Sequence, residues 1–584
     1  MSQTHSMLRI LMPIMALAAL NGCAGTPART PVAAAPIAVP TIARPQGETP
    51  AWWYRAGASQ ALEAAREAGG SQAKARNLIV FLGDGMSLPT VAAARILAGQ
   101  RAGGDGESHR LAFERFPFTA LSRTYETNQQ TPDSAGTMSA ITTGVKTRAG
   151  FIAIDQVPRR GDCAAARGHE RVTLLELGRG AGMAVGVVTT ARLTHATPAA
   201  TYAHISERNW EGDADMPPEV RRAGCRDIAA QLADFPGGLD VAMGGGRSRF
   251  MHVGTPDPEY PDRVGLRLDG RDLIGEWKKR HPHGHYVWNA RQLAAVDTGD
   301  GGPLLGLFEP SHMQYEADRL LDGAGEPSLA TMTRAAIAVL KARSHGRGFV
   351  LVVEGGRIDH ALHAGNAYRA LDETLAMDEA VRAARDLTDP ADTLIVVTAD
   401  HSHTLSFAGY PVRGNPILGL VHGVTDSYQR GHGTQLARDK LGRPYTTLGF
   451  ANGPGYSGAS DRQPEGAKTF PHRFDTVHGI GNGRPDLAGI DTTDPDFMQE
   501  AVYPLKSETH GGEDVAVYAL GPGARAFHGE VEQNVIYHVI VQHVAALGQA
   551  LCALGACNDE GIPVRLPVYA DWLRAVPREP SRQE

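Results

Sequence analysis

Several widely separated segments of this chain set carboxylates, imidazoles or a hydroxyl directly behind strongly apolar runs. Residues 77–82 lead into Gly83-Asp84-Gly85, 349–353 into Glu354, Asp359, His360 and His363, and 394–398 into Asp400-His401-Ser402-His403. Residues 184–189 are followed shortly by His195-Ala196-Thr197-Pro198. Asp and His supply hard oxygen and nitrogen donors, and Asp359 and His363, four apart, share one face of a helical turn where they can clamp an ion. Such a pair is weak evidence alone. Asp400-His401 directly after a buried strand weighs more, because polar groups there cost free energy unless something satisfies them. Thr131-Pro132-Asp133-Ser134 opens a run of small residues that reads as a helix start. A serine there faces free N–H groups and the positive end of the helix dipole, an anion site; Asp133 or Ser134 acting only as a cap fits the same residues. Together these groups are the ingredients of a polynuclear metal site with a hydroxyl beside it.

The elements that must position them are legible in the same runs. Apolar segments of this length, rich in Val and Ile, read as buried parallel strands. In an open α/β sheet, ligands bind outside the carboxyl ends of such strands. Helical composition at 90–99, 139–143, 331–341 and 367–385 alternates with them, predicting an α/β fold with a central, mostly parallel sheet flanked by helices. Residues 60–76 also have helical composition. Two regions break the rhythm: 207–320, with Gly- and Pro-rich loops and short helical pieces, and 407–503, rich in Gly, Pro, His and Asn. So long an aperiodic stretch is rare inside a domain unless it is functional or a subdomain, so 407–503 reads as an insertion over the sheet edge. Its histidines, His422, His432, His472 and His478, read as polar loop residues.

Composition is that of a globular protein: 584 residues, 42% apolar, 21% charged, formal charge −7. Nothing in this balance calls for a nucleic-acid partner. Arg9 precedes an apolar stretch, 10–20, that is too short to span a bilayer and reads as a signal h-region. It ends in Leu20-Asn21-Gly22-Cys23, which resembles the bacterial lipoprotein cleavage box. That resemblance implies a signal peptide at 1–22, lipid on Cys23, and export to a bacterial cell envelope with a membrane anchor; cleavage by the ordinary signal peptidase would leave no anchor. Residues 23–50 form an Ala/Pro-rich tether. The chain has five cysteines. With Cys23 lipidated, the others can pair as Cys163–Cys225 and Cys552–Cys557 in an oxidising compartment, four buried thiols being the alternative. The last residues, from about Pro577, read as a frayed end.

On residues 77–100, 131–146, 195–210, 354–365, 398–419 and 508–519, the chain resembles alkaline phosphatases, above all the branch typified by the mammalian enzymes. The resemblance runs over roughly 55–550. It implies an N-terminal helix at 51–76, a catalytic domain at 77–557 with a crown-like insertion at about 407–503, and a C-terminal tail at 558–584. It also implies a homodimer in which subunits meet at the crown and the N-terminal helix embraces the neighbour. By the same resemblance, Asp359, His363 and His510 hold a first zinc, and Asp84, Asp400, His401 and the Ser134 hydroxyl a second. Asp84, Thr197 and Glu354 hold a magnesium. Arg208 clamps the phosphate, with Asp133, His195 and His360 close by. Glu259, Phe308, Glu309 and Glu326 resemble a structural calcium site, although the family has Asp where Glu326 stands and two residues are inserted just before it.

The implied activity is hydrolysis of phosphate monoesters through a phosphoserine on Ser134. Charge counting agrees: three divalent ions carry six positive charges against four from Asp84, Glu354, Asp359 and Asp400, and the surplus suits a phosphate dianion. A phosphodiesterase or sulfatase of the wider superfamily is the alternative, since it shares the two-metal core. Arg208 and the third site favour the monoesterase. A binding lipoprotein without turnover would most simply lack a nucleophile or a ligand, and none is missing.

Overall fold

In the computed structural model, which describes residues 47–70, 73–424, 434–439, 442–457, 466–471 and 484–576, the apolar runs become neighbouring strands. The expected signal sequence, Cys23, nearly all of the expected tether, His432, His472, His478 and the end from residue 577 lie outside the described residues. The main sheet is ten-stranded. It contains β1 (Asn77–Gly83), β2 (Phe118–Arg123), β3 (Ala184–Arg192), β4 (Val241–Gly245), β5 (His285–Val287), β6 (Leu304–Leu307), β7 (Phe349–Gly355) and β8 (Thr393–Ala399), with Val515–Leu520 and Gly529–Glu532 completing it. Their spatial order is Gly529–Glu532, β2, Val515–Leu520, β8, β1, β7, β3, β4, β6, β5. Only Val515–Leu520 runs antiparallel to its neighbours.

The central strands lack alternation because both of their faces are covered. Leu78, Val80, Leu82, Val350 and Val352 enter one core, with helices α1 (Pro50–Glu67) and Val535–His543. Ile79, Phe81, Leu351 and Val353 enter the other, with α2 (Leu88–Arg101), Leu329–Arg343 and Ala367–Leu387. In register, Gly83 of β1 stands opposite both Gly355 of β7 and Ala399 of β8, so three strands deliver their following residues to one line. Helix α3 (Ser134–Thr143) lies on the first face, its core residues Met138 and Ile141 buried there.

Two findings differ from the sequence expectations. Region 207–320 is not only loops: it supplies the edge strands β4, β5 and β6, too short and Gly-rich to stand out as apolar runs. The N-terminal helix, capped where Thr49 accepts the Trp52 N–H at 3.1 Å, starts at Pro50, within one residue of the expected 51 and well ahead of the helical composition at 60–76, but it ends at Glu67 rather than at 76. Within one chain, that helix packs on the body: Asn534 donates to the Trp53 carbonyl (2.9 Å) and Gln542 to that of Ala58 (3.1 Å).

Within 407–503 and its flanks, Leu405–Phe407, Leu448–Gly453 and Ala501–Pro504 form a small separate sheet. Its base is tied to the catalytic body, where the Gln499 side chain accepts the Ala367 N–H at 2.6 Å. Both disulfides form, Cys163–Cys225 and Cys552–Cys557. Among the described residues no helix is long and apolar enough to cross a membrane.

Gly57 lets α1 approach so closely that a β-carbon there would lie 2.5 Å from the His538 ring and 2.7 Å from the Asn534 amide. Gly57→Val is therefore expected to destabilise the fold by about 1–3 kcal/mol, whereas Glu63→Ala on the exposed side of α1 stays within about 0.5 kcal/mol. Denaturant melts of the two variants compare them; equal stabilities would mean that α1 contributes little to holding the body together.

Candidate metal centre

β1, β7 and β8 end side by side, and Asp84, Glu354 and Asp400 stand fully buried at their carboxyl ends. Asp400 accepts the N–H groups of Gly85 and His401, both at 3.0 Å. Gly85 has φ +68°, and a β-carbon on it would sit 2.3 Å from the His403 ring, so the turn admits only glycine. Glu354 accepts the Thr189 hydroxyl. Asp84 Oδ2, Glu354 Oε1, Asp400 Oδ2 and Thr197 Oγ1 are buried without a hydrogen-bond partner among the described residues. Burial and the charges of Asp400, Asp359 and Glu354 push the Asp84 carboxyl well above its ordinary range. Burial likewise raises Glu354 to about 7. Unpaired, mutually repelling oxygens with no charged partner fit a hard divalent cation and little else.

A second group lies alongside. Asp359 and His363 come from the helix Arg357–His363, and His510 from a short strand paired with Ser402–His403. His363 Nδ1 donates to the Glu508 carbonyl (2.5 Å) and His510 Nδ1 to the Pro132 carbonyl (2.7 Å). These bonds fix the tautomers and leave both Nε2 lone pairs free. The two Nε2 atoms are 3.1 Å apart, and lie 3.3 and 3.4 Å from Asp359 Oδ1. Lone pairs converge this way when a cation sits between them. His401 Nε2 lies 3.4 Å from both Asp84 and Asp400, and its ring stacks on His510 at 3.7 Å. Donor atoms of Asp84, Asp359 and His401 form one group within 4.8 Å, those of Asp84, His195 and Glu354 another, and Asp359, His363, His403 and His510 a third.

His403 was not among the expected site residues, and it has a different job from its neighbours. Its Nε2 meets Asp359 Oδ1 at 2.7 Å and its Nδ1 meets the Glu508 carboxylate. Burial would lower its pKa, but Glu508 and Asp359 outweigh that and raise it to about 10. Both nitrogens therefore carry protons, and His403 holds Asp359 in place rather than ligating. Glu508, also missed, accepts the Thr404 N–H and hydroxyl at 2.7 and 2.6 Å. The His401-Ser402-His403 alternation was the available signal for His403; for Glu508 there was none.

On the other side stands Ser134. Asp133 caps α3 through the Gly136 N–H (3.1 Å), which leaves the Ser134 hydroxyl free. That hydroxyl lies 3.1 Å from His401 Nε2 and 3.5 Å from Asp84 Oδ1. Arg208 reaches Asp133 Oδ2 (3.3 Å) with one amino group and His195 Nε2 (3.3 Å) with the other. Burial acts to raise Asp133, but Arg208 and the Gly136 N–H hold it below the usual carboxylate range. Glu126, another residue not foreseen, is buried beside Asp133 and pushed up to about 10 by burial and by the Asp133 charge. Burial, reinforced by Arg208 at His195 and Arg357 at His360, keeps those imidazoles neutral.

A separate acidic cluster lies beyond β6. Glu259, Glu309 and Asp322 bring carboxylate oxygens within 4.8 Å of one another. Glu326 is buried nearby, one oxygen accepting the Gln314 N–H (3.0 Å) and the other unpartnered; burial and Glu309 raise it to about 9. Phe308 precedes Glu309 and is buried. Asp322, in the longer loop ahead of Glu326, was not foreseen as a member.

Because His403 braces Asp359, His403→Ala is expected to weaken divalent-metal retention about 10–100-fold, read as the chelator concentration that strips the protein. Unchanged retention would mean that Asp359 is held without it.

The comparisons with known proteins agree with this geometry. The profile of the alkaline phosphatase family matches residues 75–546. The chain is 42% identical over 512 residues to the tissue-nonspecific alkaline phosphatase of Rattus norvegicus, covering 86% of this chain and 90% of the relative. It is 43% identical over 481 residues to the alkaline phosphatase of Gadus morhua, covering 82% and 93%. Among solved structures, that of Thermus thermophilus alkaline phosphatase is similar at 26% identity and a TM-score of 0.56, covering 83% of this chain and 96% of that one. With a family match over most of its length and relatives of this identity, the chain belongs to the alkaline phosphatase family of phosphomonoester hydrolases.

Proposed function

We propose that the protein hydrolyses phosphate monoesters by way of a phosphoserine on Ser134, with two Zn²⁺ and one Mg²⁺ as cofactors. The observation that carries this reading is the position of the Ser134 hydroxyl, 3.1 Å from His401 and 3.5 Å from Asp84, beside a guanidinium braced by Asp133. Asp359, His363 and His510 would hold the first zinc; Asp84, Asp400, His401 and Ser134 the second; Asp84, Thr197 and Glu354 the magnesium. When bound, these ions supply the positive charge that lets a hydroxyl and a water lose protons near neutral pH. The chain's own residues do the rest. Arg208 offers a planar fork to two phosphoryl oxygens, and Asp133 keeps that fork turned toward Ser134. Ser134 Oγ bonds to phosphorus as the bond to the ester oxygen breaks on the opposite side and the alcohol departs. Water then cleaves the Ser134–phosphorus bond, releasing phosphate and restoring the hydroxyl.

The acidic cluster supports a structural calcium site formed by Glu259, Glu309 and Asp322 with Glu326 and the Phe308 carbonyl. Exposed apolar residues on the small sheet, Val502 and Tyr503 at 64% and 65% exposure, support a homodimer that meets at this insertion. The lipoprotein-like box and the two disulfides support export to a bacterial envelope with Cys23 as the anchor.

The test compares p-nitrophenyl phosphate with its bis-ester and with p-nitrophenyl sulfate, using purified protein with Zn²⁺ and Mg²⁺. Monoester turnover is expected to dominate, to fall at least about 10³-fold in Ser134→Ala, and to vanish on chelation. Dominant bis-ester or sulfate turnover would overturn the substrate class while leaving the two-metal core. For the fourth site, millimolar Ca²⁺ is expected to raise Tm by a few degrees, and the pair Asp322→Asn with Glu326→Gln to abolish that shift. The same shift in the variant would place calcium elsewhere.

A further inference from the structure

Behind Arg208, away from Ser134, three imidazoles pack together. The His195 and His312 ring centroids are 5.4 Å apart, His195 and His360 5.3 Å, and His312 and His360 4.1 Å, all edge to face. Each ring also meets a guanidinium: His195 that of Arg208, His312 that of Arg192, His360 that of Arg357. Among the described residues, no metal-facing donor group combines these three rings; each turns a nitrogen to an arginine instead. Each ring offers one acceptor nitrogen to an arginine, His195 Nε2 to Arg208, His360 Nδ1 to Arg357 and His312 Nδ1 to the Arg192 N–H, and the rings fix one another by contact.

His312 is the most firmly held of the three. The Arg192 N–H donates to its Nδ1 at 3.2 Å, and the Arg192 guanidinium lies against its Nε2. Arg192 is fixed in turn by two bonds to Glu211, at 2.7 and 2.5 Å, and Glu211 also accepts the Thr194 hydroxyl at 2.6 Å. The loop carrying His312 is sewn to the end of β3, where the Met313 N–H donates to the Thr190 carbonyl at 3.1 Å.

His195 is held quite differently. Its Nε2 faces Arg208, while its Nδ1 is buried without a hydrogen-bond partner among the described residues. Among the described residues, no hydrogen bond other than that to Arg208 sets the tilt of its ring, against which the edges of His312 and His360 pack. Among the same residues the Arg208 side chain has two hydrogen-bond partners, Asp133 and His195. Freeing His195 removes one of them.

We propose that His312 is a positioning residue for Arg208, acting through the His195 ring to keep the guanidinium aligned for the phosphate group of substrate and product. This rests on the reading of Arg208 as the phosphate clamp. Among the described residues, no hydrogen bond or ring contact joins His312 to Ser134 or to the residues proposed to hold the two zinc ions and the magnesium, so its effect is expected on affinity rather than on the chemical step. A ring of similar shape should do the same work even without the Arg192 bond.

The experiment uses the full-length, metal-loaded protein and measures KM for p-nitrophenyl phosphate, kcat, and inhibition by inorganic phosphate. His312→Ala is expected to raise KM and the phosphate inhibition constant about 5–10-fold, with kcat within about twofold and metal content unchanged. His312→Phe should restore both constants to within about twofold of the parent. In an Arg208→Ala background, His312→Ala should add nothing further, because the two residues act in series. If Arg208→Ala leaves phosphate inhibition unchanged, the clamp reading fails and this inference with it. If Arg208→Ala weakens phosphate but His312→Ala does not, or the two effects add in full, only the positioning role is overturned. Loss of metal in His312→Ala would also overturn it, since the residue would then support the metal centre.

Discussion

Asp84, Glu354 and Asp400 bring like charges together where water is excluded, at the carboxyl edge of the three central strands. Taken alone, that arrangement opposes folding: each carboxylate raises the cost of ionising the others. The surroundings follow from the need to offset it. Backbone N–H groups from Gly85 and His401 serve one carboxylate, the Thr189 hydroxyl another, and the remaining oxygens are left pointing inward, unpaired. Such oxygens become assets only with cations among them. The imidazoles of His363, His401 and His510, turned so that their lone pairs face the same space, extend that logic to softer nitrogen donors.

Much of this was legible in the sequence because it is built from local features. A seven-residue apolar strand followed at once by an acid or an Asp-His pair encodes both the element and the group it presents, as in β1 with Asp84 and β8 with Asp400-His401. The family resemblance then assigned roles that periodicity alone left open, including whether Ser134 merely capped its helix. What stayed hidden depends on packing between distant segments. His403 meets Asp359 from 44 positions away and Glu508 from 105. His312 finds Arg192 across 120. Asp322 joins Glu259 and Glu309 only because the loop before Glu326 folds back over them. The end of α1, not its start, was misplaced: the helix stops at Glu67 ahead of Gly69-Gly70, nine residues short of the expected 76.

The site is also braced from outside the sheet. Glu508 lies just past the insertion, where its carbonyl orients His363 and its carboxylate holds both His403 and Thr404. The insertion is therefore anchored at the metal-binding residues rather than resting on them. The Pro132 carbonyl, two residues before Ser134, accepts the proton of His510. The position of Ser134, the proposed nucleophile, and the orientation of the His510 imidazole are thus set by one short stretch of backbone. Each bracing contact joins two parts of the centre, so displacing one group displaces another.

The disulfide Cys163–Cys225 closes a covalent ring with a sequence separation of 62, and Thr197, His195 and Arg208 all lie inside it. Closing a loop of that size removes chain entropy worth about 4 kcal/mol from the unfolded state on the loop-entropy picture. The cost of ordering the segment that supplies the Arg208 guanidinium and Thr197, a proposed magnesium ligand, is thereby partly met before folding begins. A chain made where thiols stay reduced would have the same residues in the same order with this ring open. For such a chain, the compartment of synthesis, and not sequence alone, helps to determine how well the wall of the site that carries Arg208 is assembled.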